Sequence, residues 1–278
     1  MRKLFIVVII LFFAFLCNLA SYTQGYEIKI RINSLSDPIA ILGHYISNSM
    51  YPDDTAWLDH NGNGVFKNNK KLPGGMYVIY LPSTKFFQIL IDEDQQFSLE
   101  SDTVDFINSL HTRGTVNNEV FYDFQRYMKN LSEKATVLQE NIKTSENEQE
   151  REELKNKLKK LGDERISYIN KTIQEYPELF VSTFLKATLD VQVPDPPILS
   201  DGKKDSVWQY YYFRNHYFDN FDYTDARLLR TPLIEGKIMD FVTRIIPQIP
   251  DSIIPYLDIL LDKSKADSNV FRYMLITI

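Results

Sequence analysis

The sequence predicts an α+β protein in which a small antiparallel β-sandwich or barrel precedes an α-helical domain with a long antiparallel helical hairpin. Between residues 26 and 99, short apolar runs alternate with turn formers, which is typical of closely spaced strands. After Thr115 the apolar residues recur at a spacing of three and four, which is typical of a helix packed on another helix. We therefore expect a β-rich domain over residues 25–112 and a helical domain over residues 113–278.

The β-rich part opens with Tyr26-Glu-Ile-Lys-Ile-Arg-Ile32, which alternates apolar and polar side chains as a strand with one buried face does. Turn formers such as Asn61-Gly-Asn-Gly64 and Pro73-Gly-Gly75 separate the runs that follow. The further predicted strands are Ala40–Ile46, Thr55–Leu58, Gly64–Lys67, Met76–Leu81, Phe86–Ile91 and Gln96–Leu99.

Two long helices are predicted next, and their apolar residues form the seam of a hairpin. Ser145 and Glu148 predict a capping box that opens the second helix, and Pro177 ends it. The seam residues are Phe121, Phe124, Met128, Leu131, Ala135, Leu138 and Ile142 on the first helix, and Leu154, Leu158, Leu161, Ile166, Ile169 and Ile173 on the second. After the hairpin we expect a helix over Glu178–Leu189, a loop over Val193–Pro197, and helices broken at Pro232, Pro247, Pro250 and Pro255.

The first 24 residues have the plan of a secretory signal peptide. Arg2 and Lys3 precede the apolar run Leu4–Leu16, which is too short to cross a bilayer, and small residues follow it. We expect cleavage near Thr23 and a soluble periplasmic or other envelope protein without a transmembrane span. A lipoprotein anchored at Cys17 is the less favoured alternative, because the residue before a lipid-accepting cysteine is normally small.

Composition excludes several classes of function. The 278 residues carry a formal net charge of −6, so the chain has no general basic field for nucleic acid. The single cysteine lies in the predicted signal peptide, which excludes thiolate zinc sites, cysteine nucleophiles and C-x-x-C redox chemistry in residues 25–278. Asp59-His-Asn-Gly-Asn-Gly64 resembles the start of a calcium loop, but Lys70 stands where a glutamate ligand is needed, so a β-turn is favoured. We predict no catalytic residue, no metal and no cofactor.

The densest chemical information lies in the aromatic block Trp208–Tyr223 and the residues that follow it. One interpretation is an aromatic-lined pocket in which a histidine, aspartates and arginines bind a ligand. The other, which we favour, is a helix packed on the core, with Asp225 capping the next turn and Asp–Arg pairs fixing the loop. The candidate ligand-binding residues are Trp208, His216, Asp219, Asp222, Asp225, Arg227 and Arg230.

Several segments together resemble a known family. The most specific are His216-Tyr-Phe-Asp-Asn-Phe-Asp222 and Arg227-Leu-Leu-Arg-Thr-Pro232. The others are Tyr26-Glu-Ile-Lys-Ile30, Asp54-Thr-Ala56, Leu72-Pro-Gly-Gly-Met-Tyr77 and Phe87-Gln-Ile-Leu-Ile-Asp92. These segments resemble the N-terminal region of envelope thiol–disulfide oxidoreductases of the TlpA/ResA thioredoxin-like class. The resemblance implies a β-rich and a helical domain of unknown function ahead of a thioredoxin-like domain, whose C-x-x-C pair has no counterpart here.

These observations lead to a hypothesis and three alternatives. The hypothesis is a non-catalytic accessory or binding module of the envelope, whose partner is a thioredoxin-like domain or a client protein. The first alternative is the N-terminal fragment of a complete disulfide reductase, which the uncapped helix ending at Ile278 would suit as well as a natural terminus does. The second is an envelope ligand-binding protein that uses the aromatic block, and the third is a homodimer formed through the hairpin seam.

Overall fold

The computed structural model describes residues 25–33 and 37–278, so the predicted signal peptide lies outside the described residues. The strands of this part of the chain form two four-stranded sheets. Their bounds are β1 Tyr26–Asn33, β2 Ile39–Ile46, β3 Ser49–Trp57, β4 Asn63–Asn68, β5 Gly75–Tyr80, β6 Phe86–Ile91, β7 Gln96–Asp102 and β8 His111–Arg113.

Sheet A has the strand order β4-β1-β7-β8 and sheet B the order β3-β2-β5-β6. Ile28, Ile30 and Ile32 of β1 are buried while the residues between them are more exposed, as the alternation predicts. The α+β class and the two-sheet arrangement are confirmed, and the sheets do not close into a barrel. One expectation was wrong: β1 pairs with β7 in parallel, so sheet A is mixed rather than antiparallel throughout.

Each predicted strand is present, but β3 begins at Ser49 instead of Thr55. The sequence hides this start because Pro52, Asp53 and Asp54 are poor strand formers. They are tolerated here because β3 is an edge strand, where proline and charge prevent pairing with another chain. Two short elements were not predicted, β8 and the helix α1 (Phe106–Ser109).

The predicted helical hairpin is confirmed as α2 (Val116–Thr144) followed by α3 (Glu148–Glu175). Leu131 and Leu154 of the seam are buried, so the seam packs between the two helices of one chain. The predicted capping box was wrong. Asn147 caps α3 by accepting from the N–H groups of Gln149 and Glu150, because Ser145 already ends α2.

Five shorter α-helices complete the chain. They are α4 Phe180–Ala187, α5 Ser206–His216, α6 Leu233–Asp240, α7 Pro250–Ser264 and α8 Ser268–Thr277. A 3₁₀ helix, Ala226–Arg230, precedes α6, and a π-helical turn, Phe241–Ile245, follows it. Pro255 was expected to break a helix but lies inside α7, where it removes one backbone hydrogen bond without ending the helix. None of the helices in the described part combines the length and apolar character that a bilayer crossing requires.

Helix α2 is hydrogen-bonded to β6, an edge strand of sheet B. Asn118 of α2 is fully buried; its Oδ1 accepts from the Leu90 N–H at 2.8 Å and its Nδ2 donates to the Leu90 carbonyl at 2.7 Å. The Tyr122 hydroxyl donates to the Gln88 carbonyl at 2.8 Å. These contacts satisfy backbone groups of edge strand β6 that would otherwise lack partners. The buried apolar residues of both sheets and the helices form one continuous core.

Candidate functional site

The aromatic block forms the face of α5, where three rings stack in sequence. Asp205 caps the helix, and Trp208, Tyr212 and His216 follow at intervals of four residues on one side. The ring centroids are 5.1 Å apart for Trp208 and Tyr212 and 4.1 Å apart for Tyr212 and His216, with nearly parallel planes. Because the rings cover one another's faces, they do not form a flat platform on which a ligand could stack.

His216 ends this ladder and holds the start of the next loop. Its Nδ1 lies 2.7 Å from Oδ2 of Asp219, and both side chains are well exposed. A histidine oriented by a carboxylate is part of a hydrolase triad only when a hydroxyl or thiol lies against its other nitrogen. No hydroxyl of the described residues hydrogen-bonds to His216, so the pair orients a loop and does not form a triad.

Asp222 and Asp225 are turn residues. Oδ1 of Asp222 accepts hydrogen bonds from the N–H and the hydroxyl of Thr224, at 3.0 and 2.6 Å. Oδ1 of Asp225 accepts from the Arg227 N–H at 2.9 Å and thereby caps the 3₁₀ helix. The helix cap that the sequence predicted for Asp225 is confirmed, and both aspartates use their carboxylates within their own loop.

Arg227 joins the two halves of the protein. Its Nη2 lies 2.7 Å from Oδ2 of Asp225, and its Nη1 lies 3.0 Å from Oδ2 of Asp92, which directly follows β6. Its guanidinium carbon also sits 5.0 Å from the centre of the Phe180 ring. Burial raises the pKa of Asp92, and the positive charge of Arg227 offsets part of that rise. The hydrogen bond and charge of Asp225 raise the pKa of Arg227, which keeps it charged. We call Asp92, Asp225 and Arg227 the joint.

The 3₁₀ helix packs closely on the Pro73–Gly75 turn of the β-rich part. Gly75 has a φ of +148°, and a Cβ placed on it would lie 2.3 Å from Cβ of Arg230. Only glycine fits this approach without strain. Arg230 contributes its aliphatic stem to the contact, while its Nε is buried without a hydrogen-bond acceptor among the described residues. The stem of Arg230 is therefore part of the packing between the 3₁₀ helix and the β-rich part.

The seven predicted site residues thus do not converge on one pocket. Trp208 and His216 belong to the aromatic ladder on α5, and Arg227 and Arg230 lie at the junction with the β-rich part. Asp219 and Asp222 alone line a cleft of about 590 Å³ beside α4. Its walls are formed by Ile173, Pro177, Ser182, Thr183, Lys186, Lys263 and the loop Phe218–Thr224.

Two residues of this cleft carry charge that the sequence did not single out. Lys186 of α4 and Lys263 of α7 are exposed, and neither forms an ion pair with another residue in the described ranges. Asp219 and Asp222, by contrast, are engaged by His216 and Thr224. The cleft therefore has two unpaired ammonium groups that an anionic ligand could contact, together with two carboxylates that are hydrogen-bonded within their own loop. No local pattern marks the lysines, because α4 and α7 are far apart in the chain.

Metal binding finds no support in residues 25–33 and 37–278, where no group of three or more histidine, cysteine, aspartate or glutamate side chains is arranged to hold an ion. The calcium-like segment at Asp59 is a turn. Oδ1 of Asp59 accepts from the N–H groups of Asn61 and Asn63 at 2.8 and 2.9 Å, and Gly62 has a φ of +75°. The hydrogen bonds from Asn63 lower the pKa of this exposed carboxylate.

Comparison with known proteins gives one match. Residues 143–277 match the family model of a domain of unknown function, DUF5106, which covers just under half of the 278 residues. The match begins in the last turn of α2 and includes α3, the cleft and the 3₁₀ helix. No curated protein and no solved structure matches the chain. Residues 143–277 are therefore similar to a recurrent domain to which no activity is attached.

Proposed function

We propose that this chain is a non-catalytic accessory or binding module of the cell envelope that supports a thioredoxin-like domain or its client. The observation that carries the proposal is the joint. Arg227 of the motif block pairs with Asp225 and with Asp92 and so links the helical part to the sheets. This use of the charged groups in holding the fold together supports an accessory role rather than a catalytic one.

Two sequence features support the rest of the proposal. Residues 25–278 contain no cysteine, so this part of the chain has no thiol with which to reduce a disulfide. The N-terminal run has the plan of a signal peptide, which supports an envelope location. The motif resemblance to the region ahead of the redox domain in TlpA/ResA-like proteins supplies the partner class.

The proposal is tested by an insulin-reduction assay with dithiothreitol as electron donor. We expect the processed chain to give the rate of a control without protein, and to bind a purified TlpA/ResA-type thioredoxin-like domain in a titration. Charge substitution at the joint, as in Arg227→Met, should weaken that binding if the rigid arrangement of the two halves matters. Insulin reduction above the control would show that the chain is not a passive module.

The alternative of an N-terminal fragment of a complete reductase has its own test. The DNA immediately after the Ile278 codon would be read in all frames. A continuation into a C-x-x-C thioredoxin-like segment would favour the fragment. A stop without such a segment nearby would favour a separate module that acts on a partner encoded elsewhere.

A second candidate function, ligand binding at the aromatic block, is favoured by the cleft along Phe218–Thr224. A ligand that moves Asp219 would disturb His216, and through the stacked rings Trp208. Trp57 would be replaced by Phe so that Trp208 is the one remaining tryptophan. We expect succinate, citrate or inorganic phosphate to change its fluorescence.

Three variants sharpen this test. Lys186→Met should weaken the response by removing a free ammonium group from the cleft, and His216→Ala should abolish the signal by breaking the stack. Lys70→Met, on a loop of the β-rich part, is the matched control and should respond normally. An unchanged fluorescence across all three anions would count against ligand binding in the cleft.

A further inference from the structure

The outer face of sheet A carries an excess of positive charge. Lys29 and Arg31 of β1 point away from the core, and Arg113 and His111 stand on β8, two strands away. The pairing places Ser98 between Lys29 and Arg113, and Glu100 between Arg31 and His111. These side chains surround an open depression of about 590 Å³. We call this surface the cationic face.

Part of this charge is not neutralised within the chain. Arg31 lies 3.5 Å from Glu100, and Lys29 lies 3.2 Å from Glu27, which Lys67 also contacts. The side chain of Arg113 forms no ion pair or hydrogen bond with the described residues. Around the depression, Lys29, Arg31 and Arg113 have two carboxylate partners, Glu27 and Glu100, and Lys67 shares Glu27, so positive charge remains in excess on this face of a protein whose overall charge is negative. A surface of this kind attracts an acidic partner.

The chain itself presents an acidic surface of the opposite sign at the end of the hairpin. Residues 146–153 contain five glutamates and one arginine, and we call this segment the hairpin tip. Arg151 pairs with Glu148, and Lys155 beyond the tip pairs with Glu152. Glu146 and Glu153 are exposed and form no ion pair with the described residues. The tip therefore keeps negative charge that could meet the cationic face.

These two surfaces cannot meet within one molecule. Helix α2 starts three residues after Arg113 and runs for 29 residues to the tip. At a rise of 1.5 Å per residue, that helix separates the tip from the cationic face by about 40 Å. The helix is continuous and α3 packs along it, so the tip does not fold back. Contact between the two surfaces requires a second copy of the chain.

We propose that the hairpin tip of one copy docks on the cationic face of a second copy, giving weak head-to-tail association. The contact joins two different surfaces, so each added copy exposes a new tip and a new face. It differs from a dimer through the hairpin seam, because it uses charged residues outside the seam. The proposal goes beyond the proposed function and does not depend on it.

The physical basis of the contact predicts how it responds to salt. Charges exposed to solvent attract one another over roughly 20 Å at about 25 mM NaCl, but over roughly 6 Å at about 300 mM. We expect the weight-average sedimentation coefficient of the processed chain to rise with protein concentration at the lower salt. At the higher salt it should stay at the monomer value.

Charge reversal on each surface tests the contact directly. The face variant Lys29→Glu with Arg113→Glu and the tip variant Glu146→Lys with Glu153→Lys should each lose association at least tenfold when measured alone. An equimolar mixture of the two should regain it, because the unchanged tip of the face variant can meet the unchanged face of the tip variant, and the reversed tip can meet the reversed face. A merely destabilised fold could not produce this rescue.

Control variants carry one charge reversal of the same sign elsewhere. Lys70→Glu lies on an exposed loop of the β-rich part, and Glu178→Lys lies on the exposed turn between α3 and α4. Both should associate as the parent chain does. A concentration-independent monomer at low salt, or variants that associate normally, would overturn the proposal. Binding of the cationic face to anionic phosphatidylglycerol vesicles without self-association would also overturn it and would identify a lipid surface as the occupant.

Discussion

Replacing Arg227 with methionine should uncouple the sheets from the helices. The substitution keeps most of the aliphatic stem but removes the guanidinium bonds to Asp225 and Asp92, the latter across 135 residues of chain. The side chains of Asp92 and Asp225 are only 15 and 16% exposed, so each would keep a poorly solvated charge without a cation. The loss therefore combines missing bonds with unpaired carboxylates.

The magnitude follows from this geometry. A hydrogen bond to a charged group contributes about 1.5–3 kcal/mol when buried, and exposed ion pairs contribute about 1 kcal/mol or less. The Arg227 side chain is 30% exposed, which places the joint between these cases. We expect Arg227→Met to lower the free energy of unfolding by about 2–4 kcal/mol. Arg230→Met, three residues on, should cost about 1 kcal/mol or less, because its head group forms no ion pair with the described residues.

The assay uses urea unfolding followed by the two tryptophans, since Trp57 lies in β3 and Trp208 in α5. Variants that keep one tryptophan report on each half separately. In the parent chain both probes should give the same midpoint, whereas Arg227→Met should separate the two transitions. A double-mutant cycle with Asp92→Asn should yield a coupling energy of about 1–2 kcal/mol. If Arg227→Met and Arg230→Met lowered the free energy of unfolding equally and both probes still gave one midpoint, the joint would not couple the two halves.

Three further predictions concern pH, the sheet edge and the glycine contact. Burial raises the pKa of Asp92, so ionisation of Asp92 disfavours the folded state as the pH rises above the ordinary pKa of aspartate. Arg227→Met removes the positive charge that offsets part of this effect. Urea titrations should therefore show that Arg227→Met lowers the free energy of unfolding more at pH 7 than at pH 4. Asn118→Ala should lower the free energy of unfolding by about 2–4 kcal/mol and speed amide exchange in β6, because it leaves a buried N–H and a buried carbonyl of Leu90 unpaired. Unchanged exchange would contradict the role of the Asn118–Leu90 hydrogen bonds. Gly75→Ala should lower the thermal midpoint, because the new Cβ would lie 2.3 Å from Cβ of Arg230. Gly236→Ala, on an open helix surface, should raise the free energy of unfolding by about 0.5–1 kcal/mol. Equal midpoints for the two variants would argue against the close approach at Gly75.

The fold could be predicted from the sequence where local periodicity determines the structure. The alternation at Tyr26–Ile32 and the seam containing Leu131 and Leu154 each predicted an element with its buried face. Prediction failed where tertiary context overrides propensity. Strand β3 continues through Pro52 because it lies at a sheet edge, and α7 continues through Pro255 because its other turns keep their bonds.

The site could be predicted only in part, because several of its contacts join residues that are far apart in the sequence. The Asp225 cap depends on residues two positions apart and could be predicted from the local sequence. The second partner of Arg227 is Asp92, which no spacing rule connects to it. Lys186 and Lys263 meet at the cleft through the packing of two helices, and a single sequence carries no record of that packing.

The parallel pairing of β1 with β7 has a consequence for how the chain acquires its structure. Glu27 is aligned with Gln96, so β1, one of the two inner strands of sheet A, pairs with a segment nearly seventy residues downstream. The hairpin, in contrast, joins neighbouring helices through the three residues between Thr144 and Glu148 and can form locally. During synthesis from the N-terminus, the apolar residues of β1 would stay exposed until β7 has been made and has paired with β1. Closure of sheet A is therefore the expected slow step of folding, and the interval before it is when the protein is most exposed to aggregation.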